Sequence, residues 1–245
     1  MRIVHYHFKT IGSTNTWAKE HAHQFDPQVL TLVTADHQTA GRGRFKRRWE
    51  SPDSGNIYAT YCFFVEETRG DIGHIPQLLA LTAAQVLEKL GFNPSLKWPN
   101  DILLSGKKLS GILCETVMQG THRVVICGIG LNVNMSLETL QTIDRPATSL
   151  KVETGSEYSV DEILKALTQQ FVLHLEIFLK QGFDSFFPGF KERSALKTGQ
   201  LVKFHDNQHL IQGIFEKLNP DGSVTLQLPN GSHQVFYAGE FVQDY

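Results

Sequence analysis

Apolar positions along the chain fall into two textures that change near Thr198. Before that point, short runs with strand character alternate with longer stripes at helical spacing. Residues 2–9 predict a strand, and Ser13-Thr14-Asn15 then offer caps for a short helix near 15–23. Val29 to Thr34 and Asn56 to Val65 concentrate β-branched and aromatic side chains, which suit a pleated sheet. From Ile75 to Leu90 a stripe of Leu78, Leu79, Thr82, Ala83, Val86 and Leu87 predicts a helix, with Gly91 as its stop. Leu109 to Val117 and Arg123 to Val133 read as buried strands joined at Gln119-Gly120. Ile163, Leu167, Phe171, Leu175 and Phe178 mark one face of a second amphipathic helix over 159–181. Phe183, Phe186, Phe187 and Phe190 read as helix packing, and Pro146 to Leu150 as a loop entering the last helix.

Beyond Thr198 the segments 201–205, 208–218, 223–228 and 233–237 alternate, separated by Asp206-Asn207, Pro220-Asp221-Gly222 and Pro229-Asn230-Gly231. They predict a β-barrel of about 45 residues, small enough to need a larger neighbour to dock on. The expected fold class is α/β (α+β), with a mixed-sheet domain flanked by helices over 1–195 and the barrel over 196–245.

Composition adds exclusions. Hydrophobic residues make up 41% and charged residues 20%, a globular balance rather than a disordered one. A formal net charge of −2 gives no general affinity for nucleic acid or an acidic membrane surface. No apolar run approaches the roughly 20 residues of a bilayer span, and the N-terminal segment lacks a signal-peptide core. Cys62, Cys114 and Cys127 are odd in number and far apart, each in an apolar strand-like run. They read as buried free thiols in a reducing compartment, so the expected location is cytoplasmic. His5-x-His7 and His21-x-His23 lack a third ligand at metal spacing and read as ordinary strand or surface residues.

Two segments carry candidate chemistry. Gly41-Arg42-Gly43-Arg44-Phe45-Lys46-Arg47-Arg48-Trp49 falls where a loop is expected. Glycines let backbone N–H groups approach an anion, and arginine forks match phosphate or carboxylate oxygens. The loop fits neither the G-x-x-x-x-G-K-[ST] nor the G-x-G-x-x-G pattern, and a basic surface patch with stacking aromatics explains the same composition. The second segment is Lys97-Trp98-Pro99-Asn100-Asp101, followed by Gly106-Lys107-Lys108-Leu109-Ser110-Gly111. Here Asp101 is a candidate for a metal ion and Lys108 for an anion, against the plain alternative of a hairpin with solvated lysines. Taken together, the segments offer cations for a polyanion and one carboxylate for Mg²⁺.

Gly41 to Trp49, Lys97 to Asp101, Lys107 to Leu113 and Gly128-Ile129-Gly130-Leu131-Asn132-Val133-Asn134 resemble, in order, the motifs of biotin protein ligases. The resemblance extends over essentially the whole chain. It implies a monofunctional enzyme with an SH3-like C-terminal barrel that activates biotin with ATP and Mg²⁺ to biotinyl-5′-adenylate. The enzyme would then transfer biotin to a lysine of the biotin carboxyl carrier protein of a biotin-dependent carboxylase. The resemblance also implies roles. Ser13, Thr14, Asn15 and Gln38 would bond biotin, Gly41, Arg42, Gly43, Arg44 and Lys108 would hold its carboxylate and the α-phosphate, and Gly111 and Gly130 would make room for its rings. Arg44, Arg47, Trp49, Asn100, Asp101, Lys108 and Asn132 would serve ATP, with Asp101 also at the metal. Arg44, Lys108 and Asp101 would be the catalytic set. Lys46 departs from the pattern, since many members have glycine there. No helix-turn-helix precedes Ser13, so specific DNA binding is not expected, while a homodimer stays open. A lipoate or octanoate ligase or transferase is the nearest enzymatic alternative. A nucleic-acid-binding module is the alternative of another class, and it lacks a basic face.

Overall fold

The computed structural model describes residues 1–53, 55–206 and 208–242. It opens with strand β1 (Arg2–Ile11), helix α1 (Thr14–His21) and strand β2 (Val29–Gln38). Ser13 is the cap of α1, its hydroxyl accepting from the Thr16 amide, while Thr14 and Asn15 already belong to the helix. Because β2 runs parallel to β1, from Arg2↔Val29 to Ile11↔Gln38, a crossover is required, and α1 provides it.

Next come β3 (Ile57–Glu66), α2 (Ile75–Lys89), β4 (Ser95–Lys97), β5 (Asp101–Leu104), β6 (Lys107–Gln119) and β7 (His122–Leu131). All their pairings are antiparallel, giving a mixed seven-stranded sheet in the order β1-β2-β3-β7-β6-β5-β4. Ser105 (φ 52) and Gly106 (φ 75) turn β5 into β6, both in the left-handed region that a two-residue hairpin favours. The expected Gln119-Gly120 turn is shifted by one residue. Gln119 ends β6 and the reversal runs through Gly120 and Thr121.

Short helices α3 (Leu137–Gln141) and α4 (Leu150–Thr154) lead to α5 (Val160–Gln181) and then α6 (Phe187–Glu192). The striped faces of α2 and α5 pack on one side of the sheet around Leu78, Leu79, Tyr61, Phe171 and Leu175. On the opposite side Ala18 of α1 and Ala22, the residue just after it, pack against Val33, Cys62 and Ile126. All three cysteines are free thiols, but Cys114 is only half buried. The expectation fails there because β5 pairs with β6 only as far as Gly111, and no strand flanks Cys114 on that side among the described residues.

The C-terminal strands are β8 (Leu201–His205), β9 (Leu210–Leu218), β10 (Val224–Gln227), β11 (His233–Phe236) and β12 (Glu240–Val242). They form an antiparallel sheet in the order β11-β10-β9-β8-β12. The expected barrel is thus an open five-stranded sheet, since its end strands do not pair with each other among the described residues. The strand expected from 208 begins at Leu210, and Asn207 of the expected turn lies outside the described residues. Trp98 joins the two sheets. Its ring lies 6.0 Å from that of Phe204 and 5.9 Å from that of Phe241, and its Nε1 donates to the Gly222 carbonyl at 2.8 Å. One continuous apolar cluster therefore runs through both sheets. Among the described residues no helix is long and apolar enough to cross a membrane.

Candidate active site

A cavity of about 430 Å³ opens where the start of α1, the end of β2 and the middle of β6 and β7 meet the 42–50 loop and the β4–β5 turn. Its inner end is neutral and closely bonded. Thr60 donates to Asn15 Oδ1 at 2.7 Å, and Asn15 Nδ2 donates to the Leu113 carbonyl at 3.0 Å. Gln38 Oε1 accepts from the Thr14 amide at 2.9 Å, while its Nε2 donates to Ser51 at 2.9 Å. The floor needs glycine. A Cβ at Gly128 would lie 2.0 Å from Asn15 Oδ1, and one at Gly130 would lie 2.3 Å from Trp49 Nε1. Gly111 faces Gly130 across β6 and β7, and the Trp49 indole rests over both. Trp49 Nε1 is buried with no hydrogen-bond partner among the described residues.

The outer end is cationic, and most of its cations are already paired. Arg42 makes two bonds to Glu115, at 3.0 and 3.1 Å. Burial works to raise the Glu115 pKa, yet the bonds and charge of Arg42, with help from Lys19, hold it below the ordinary carboxylate value. Arg47 reaches Glu240 of β12 at 2.6 and 2.7 Å, and the same competition between burial and Arg47 leaves Glu240 lowered too. Lys108 Nζ lies 2.7 Å from Asp101 and 5.5 Å from the centre of the Trp49 ring. Arg44 differs, because its partners are neutral: Asn100 Oδ1 at 3.2 Å and the Gly239 carbonyl at 3.1 Å. Its burial lowers its pKa, partly offset by the charges of Asp101 and Glu240. Asn100 in turn donates to the Ile112 carbonyl, and Asn132 donates to the Thr148 carbonyl at 3.0 Å, leaving Asn132 Oδ1 without a partner among the described residues.

The structure brings nearly all the sequence-derived candidates to this one cavity. Ser13, Thr14, Asn15, Gln38, Arg42, Gly43, Arg44, Arg47, Trp49, Asn100, Asp101, Lys108, Gly111, Gly130 and Asn132 all line it. Gly41 does not. A Cβ there would strike the Trp49 carbonyl at 2.4 Å and Ser51 Oγ at 2.5 Å, so Gly41 acts behind the loop by allowing the chain to close on itself. The hairpin alternative also describes part of the truth, because Asp101 and Lys108 sit on the β5–β6 hairpin and Lys107 is exposed. No cluster of three or more His, Cys, Asp or Glu side chains suited to a metal occurs among the described residues. Thr60, Glu115, Gly128 and Glu240 escape the sequence reading. Gly128 stands inside a motif already noted, whereas the others give no local signal.

A glycine-floored cavity with neutral amides and hydroxyls inside and arginines at its mouth defines an α/β protein built for a ligand with a polar uncharged head and an anionic tail. Residues 7–132 match the biotin/lipoate A/B protein ligase family, and the chain belongs to that family. The bifunctional ligase/repressor BirA of Bacillus subtilis is 35% identical over 236 residues, covering 93% of this chain and 70% of that protein. The biotin–[acetyl-CoA-carboxylase] ligase of Paracoccus denitrificans is 29% identical, covering 84% of this chain and 90% of its own. Among solved structures, biotin protein ligase from Aquifex aeolicus in complex with biotin and ATP superposes with a TM-score of 0.81 at 28% identity, covering 98% and 97% of the two chains.

Proposed function

We propose that this chain is a biotin protein ligase that joins biotin to AMP at the expense of ATP and then passes biotin to a lysine of a biotin carboxyl carrier protein. The observation that carries this reading is the division of the cavity into a neutral inner end and a cationic mouth. A ureido ring presents both N–H donors and a carbonyl acceptor, which the amides and hydroxyls of Ser13, Thr14, Asn15 and Gln38 can meet together. A dithiolane ring offers neither, so the same inner end suits lipoate poorly. Gly111 and Gly130 leave the volume for the bicyclic rings, into which the Trp49 indole now projects.

In the first step the biotin carboxylate attacks the α-phosphorus of ATP, the new C–O–P linkage forms, and the bond to the β-phosphate breaks to release pyrophosphate. Two anions must approach, so fixed cations lower the repulsion and hold the charge that builds up. Arg44 suits this role because no carboxylate is bonded to it, with Lys108 paired to Asp101 across the cavity and Arg42 and Arg47 on the same loop each paired with a glutamate. Asn100, Asn132 and Trp49 would hold the nucleoside. Mg²⁺ would ride on the phosphates with Asp101 as its one protein carboxylate, a sparse ligand set that matches how this ion is usually held, and it would supply charge neutralisation. In the second step the acceptor amine attacks the acyl carbon and AMP leaves. Freeing a lysine amine of its proton near neutral pH costs on the order of 4–5 kcal/mol, and we assign Asp101 to orienting that amine.

ATP–pyrophosphate exchange with biotin, lipoate and octanoate tests the assignment. Exchange with biotin alone is expected. Exchange with lipoate alone would move the substrate, and none with any acid would remove the activity. Within this reading Asp101→Asn should slow transfer more than adenylate formation in single-turnover assays, and equal losses would refute the role given to Asp101.

A further inference from the structure

Thr60 is fully buried, stands on β3 opposite Val33 of β2 and Gly128 of β7, and does not line the cavity. Its hydroxyl oxygen nevertheless touches two residues that do, Asn15 Oδ1 at 2.7 Å and Thr14 Oγ1 at 2.8 Å. A hydroxyl has one proton, so the two contacts need different donors. Asn15 Nδ2 donates to the Leu113 carbonyl, which fixes the amide with Oδ1 towards Thr60, and an amide oxygen only accepts. The Thr60 proton therefore goes to Asn15. The contact with Thr14 then needs the Thr14 proton, because two oxygens at 2.8 Å with no proton between them repel. Gln38 Oε1 lies farther from Thr14 Oγ1, at 3.2 Å, and already accepts the Thr14 amide at 2.9 Å.

With its proton directed at Thr60, the Thr14 hydroxyl has only lone pairs left for the cavity it lines. Ser13 beside it is the reverse. Its oxygen accepts from the Thr16 amide at 3.4 Å, and its own proton has no acceptor among the described residues. The inner end thus offers an acceptor next to a donor, the complement of a ring edge that carries N–H beside C=O. We propose that Thr60 is a positioning residue for ligand selection: it fixes Thr14 as an acceptor and Asn15 in its amide orientation, and the site thereby selects a ring bearing N–H groups. The proposal rests on the ligase reading above and deepens it, naming what sets the choice of acid. In a buried network where each proton has one place to go, removing the Thr60 hydroxyl returns the Thr14 proton and reverses the polarity of a ligand contact.

Two substitutions separate the hydroxyl from the methyl group of Thr60. Thr60→Val keeps the shape and removes the hydroxyl, whereas Thr60→Ser keeps the hydroxyl and removes the methyl. Thr60→Val should raise the Kd for biotin about 10-fold in calorimetry, and equally for desthiobiotin, which retains the ureido ring. In the exchange reaction the KM for biotin should rise with it, while kcat and the KM for ATP stay within about twofold of wild type. Thr60→Ser should bind biotin within about threefold of wild type. Weaker binding by Thr60→Ser than by Thr60→Val would make Thr60 a packing residue only, and equal rises in KM for biotin and ATP would do the same. A loss for biotin with none for desthiobiotin would also overturn the assignment. If Thr60→Val does not fold, neutron diffraction from the unsubstituted protein crystallised in heavy water decides. The Thr14 deuteron should point at Thr60, and a deuteron pointing at Gln38 Oε1 would refute the proposal. A wild type with no biotin-dependent exchange would instead sink the ligase reading, and the same diffraction map would still decide the proton order at Thr60.

Discussion

At the scale of single residues, the site is set by what is too small or too strained to be accidental. Gly128 leaves space that Asn15 Oδ1 fills, so Gly128→Ala must push the amide out of its bonds to Thr60 and Leu113. We expect biotin affinity, measured by calorimetry, to fall by roughly 10-fold or more and the melting temperature to drop by a few degrees, since an orphaned buried polar contact costs about 1–3 kcal/mol. Lys46 tests the loop from the other side. Both Phe45 (φ 56) and Lys46 (φ 61) sit in the left-handed region, which costs a side-chain-bearing residue roughly 1–2 kcal/mol. Lys46→Gly removes that strain at the expense of a floppier unfolded chain. The balance predicts a neutral or stabilising change in urea unfolding, and a loss near 1 kcal/mol would show that the loop does not hold this conformation. The arginines and glycines of this loop are legible in the sequence because their types are rare in combination. The partners Glu115 and Glu240 are not, since a lone glutamate in a strand carries no mark of the cation it will meet.

Among elements, length decides what the sequence shows. Helices α2 and α5 are 15 and 22 residues long, enough for their stripes to be counted, and both lie where the periodicity places them. β4 and β12 have three residues each, and α3 and α4 five, too short for any period to emerge, so all four go unpredicted. The α2–α5 contact also holds a titration that no pattern announces. His174 is 8% exposed, with Gln170 Nε2 at 2.7 Å from its Nε2 and Thr82 Oγ1 at 2.8 Å from its Nδ1. Since Thr82 donates onward to the Leu78 carbonyl, the bonding assigns the proton to Nδ1 and leaves Nε2 as an acceptor, a neutral ring. Burial, with Lys89 adding, lowers its pKa below the ordinary histidine value of 6.5. The unfolded chain therefore binds the extra proton first, and this contribution is full above that value and lost as pH falls through the lower folded one. Unfolding free energies at pH 7.5 and 5.5 should differ less in His174→Gln than in wild type, with a slope difference of at most about 1.4 kcal/mol per pH unit. Parallel slopes would mean that His174 is not the titrating group.

For the molecule as a whole, the C-terminal sheet is a working wall of the cavity and not an appendage. Trp98 anchors it through the apolar cluster, and the arginine loop is then tied to it twice, by Arg44 at the Gly239 carbonyl and by Arg47 at Glu240 across 193 residues of sequence. Two motifs that look like one loop and one hairpin in the sequence are thus completed by a third segment whose own sequence looks like ordinary β structure. The Arg47–Glu240 pair is partly exposed and worth no more than about 1 kcal/mol to global stability, so its role is to set where the loop rests. Because Glu240 is held below the ordinary carboxylate value by Arg47, against the effect of burial, the tie is intact above that value and is released as pH falls through the lower folded one. Glu240→Gln should remove the charge at every pH. We expect trypsin to cut the 42–48 segment several-fold faster in this variant than in wild type at pH 8, with the protein otherwise intact. Hydrogen exchange of the same segment should then converge in the two proteins at low pH, where the wild-type tie is also lost. If the segment is cut at the wild-type rate at pH 8, the loop is held by Arg44 and the Trp49 packing alone, and the Arg47–Glu240 pair does not set where it rests.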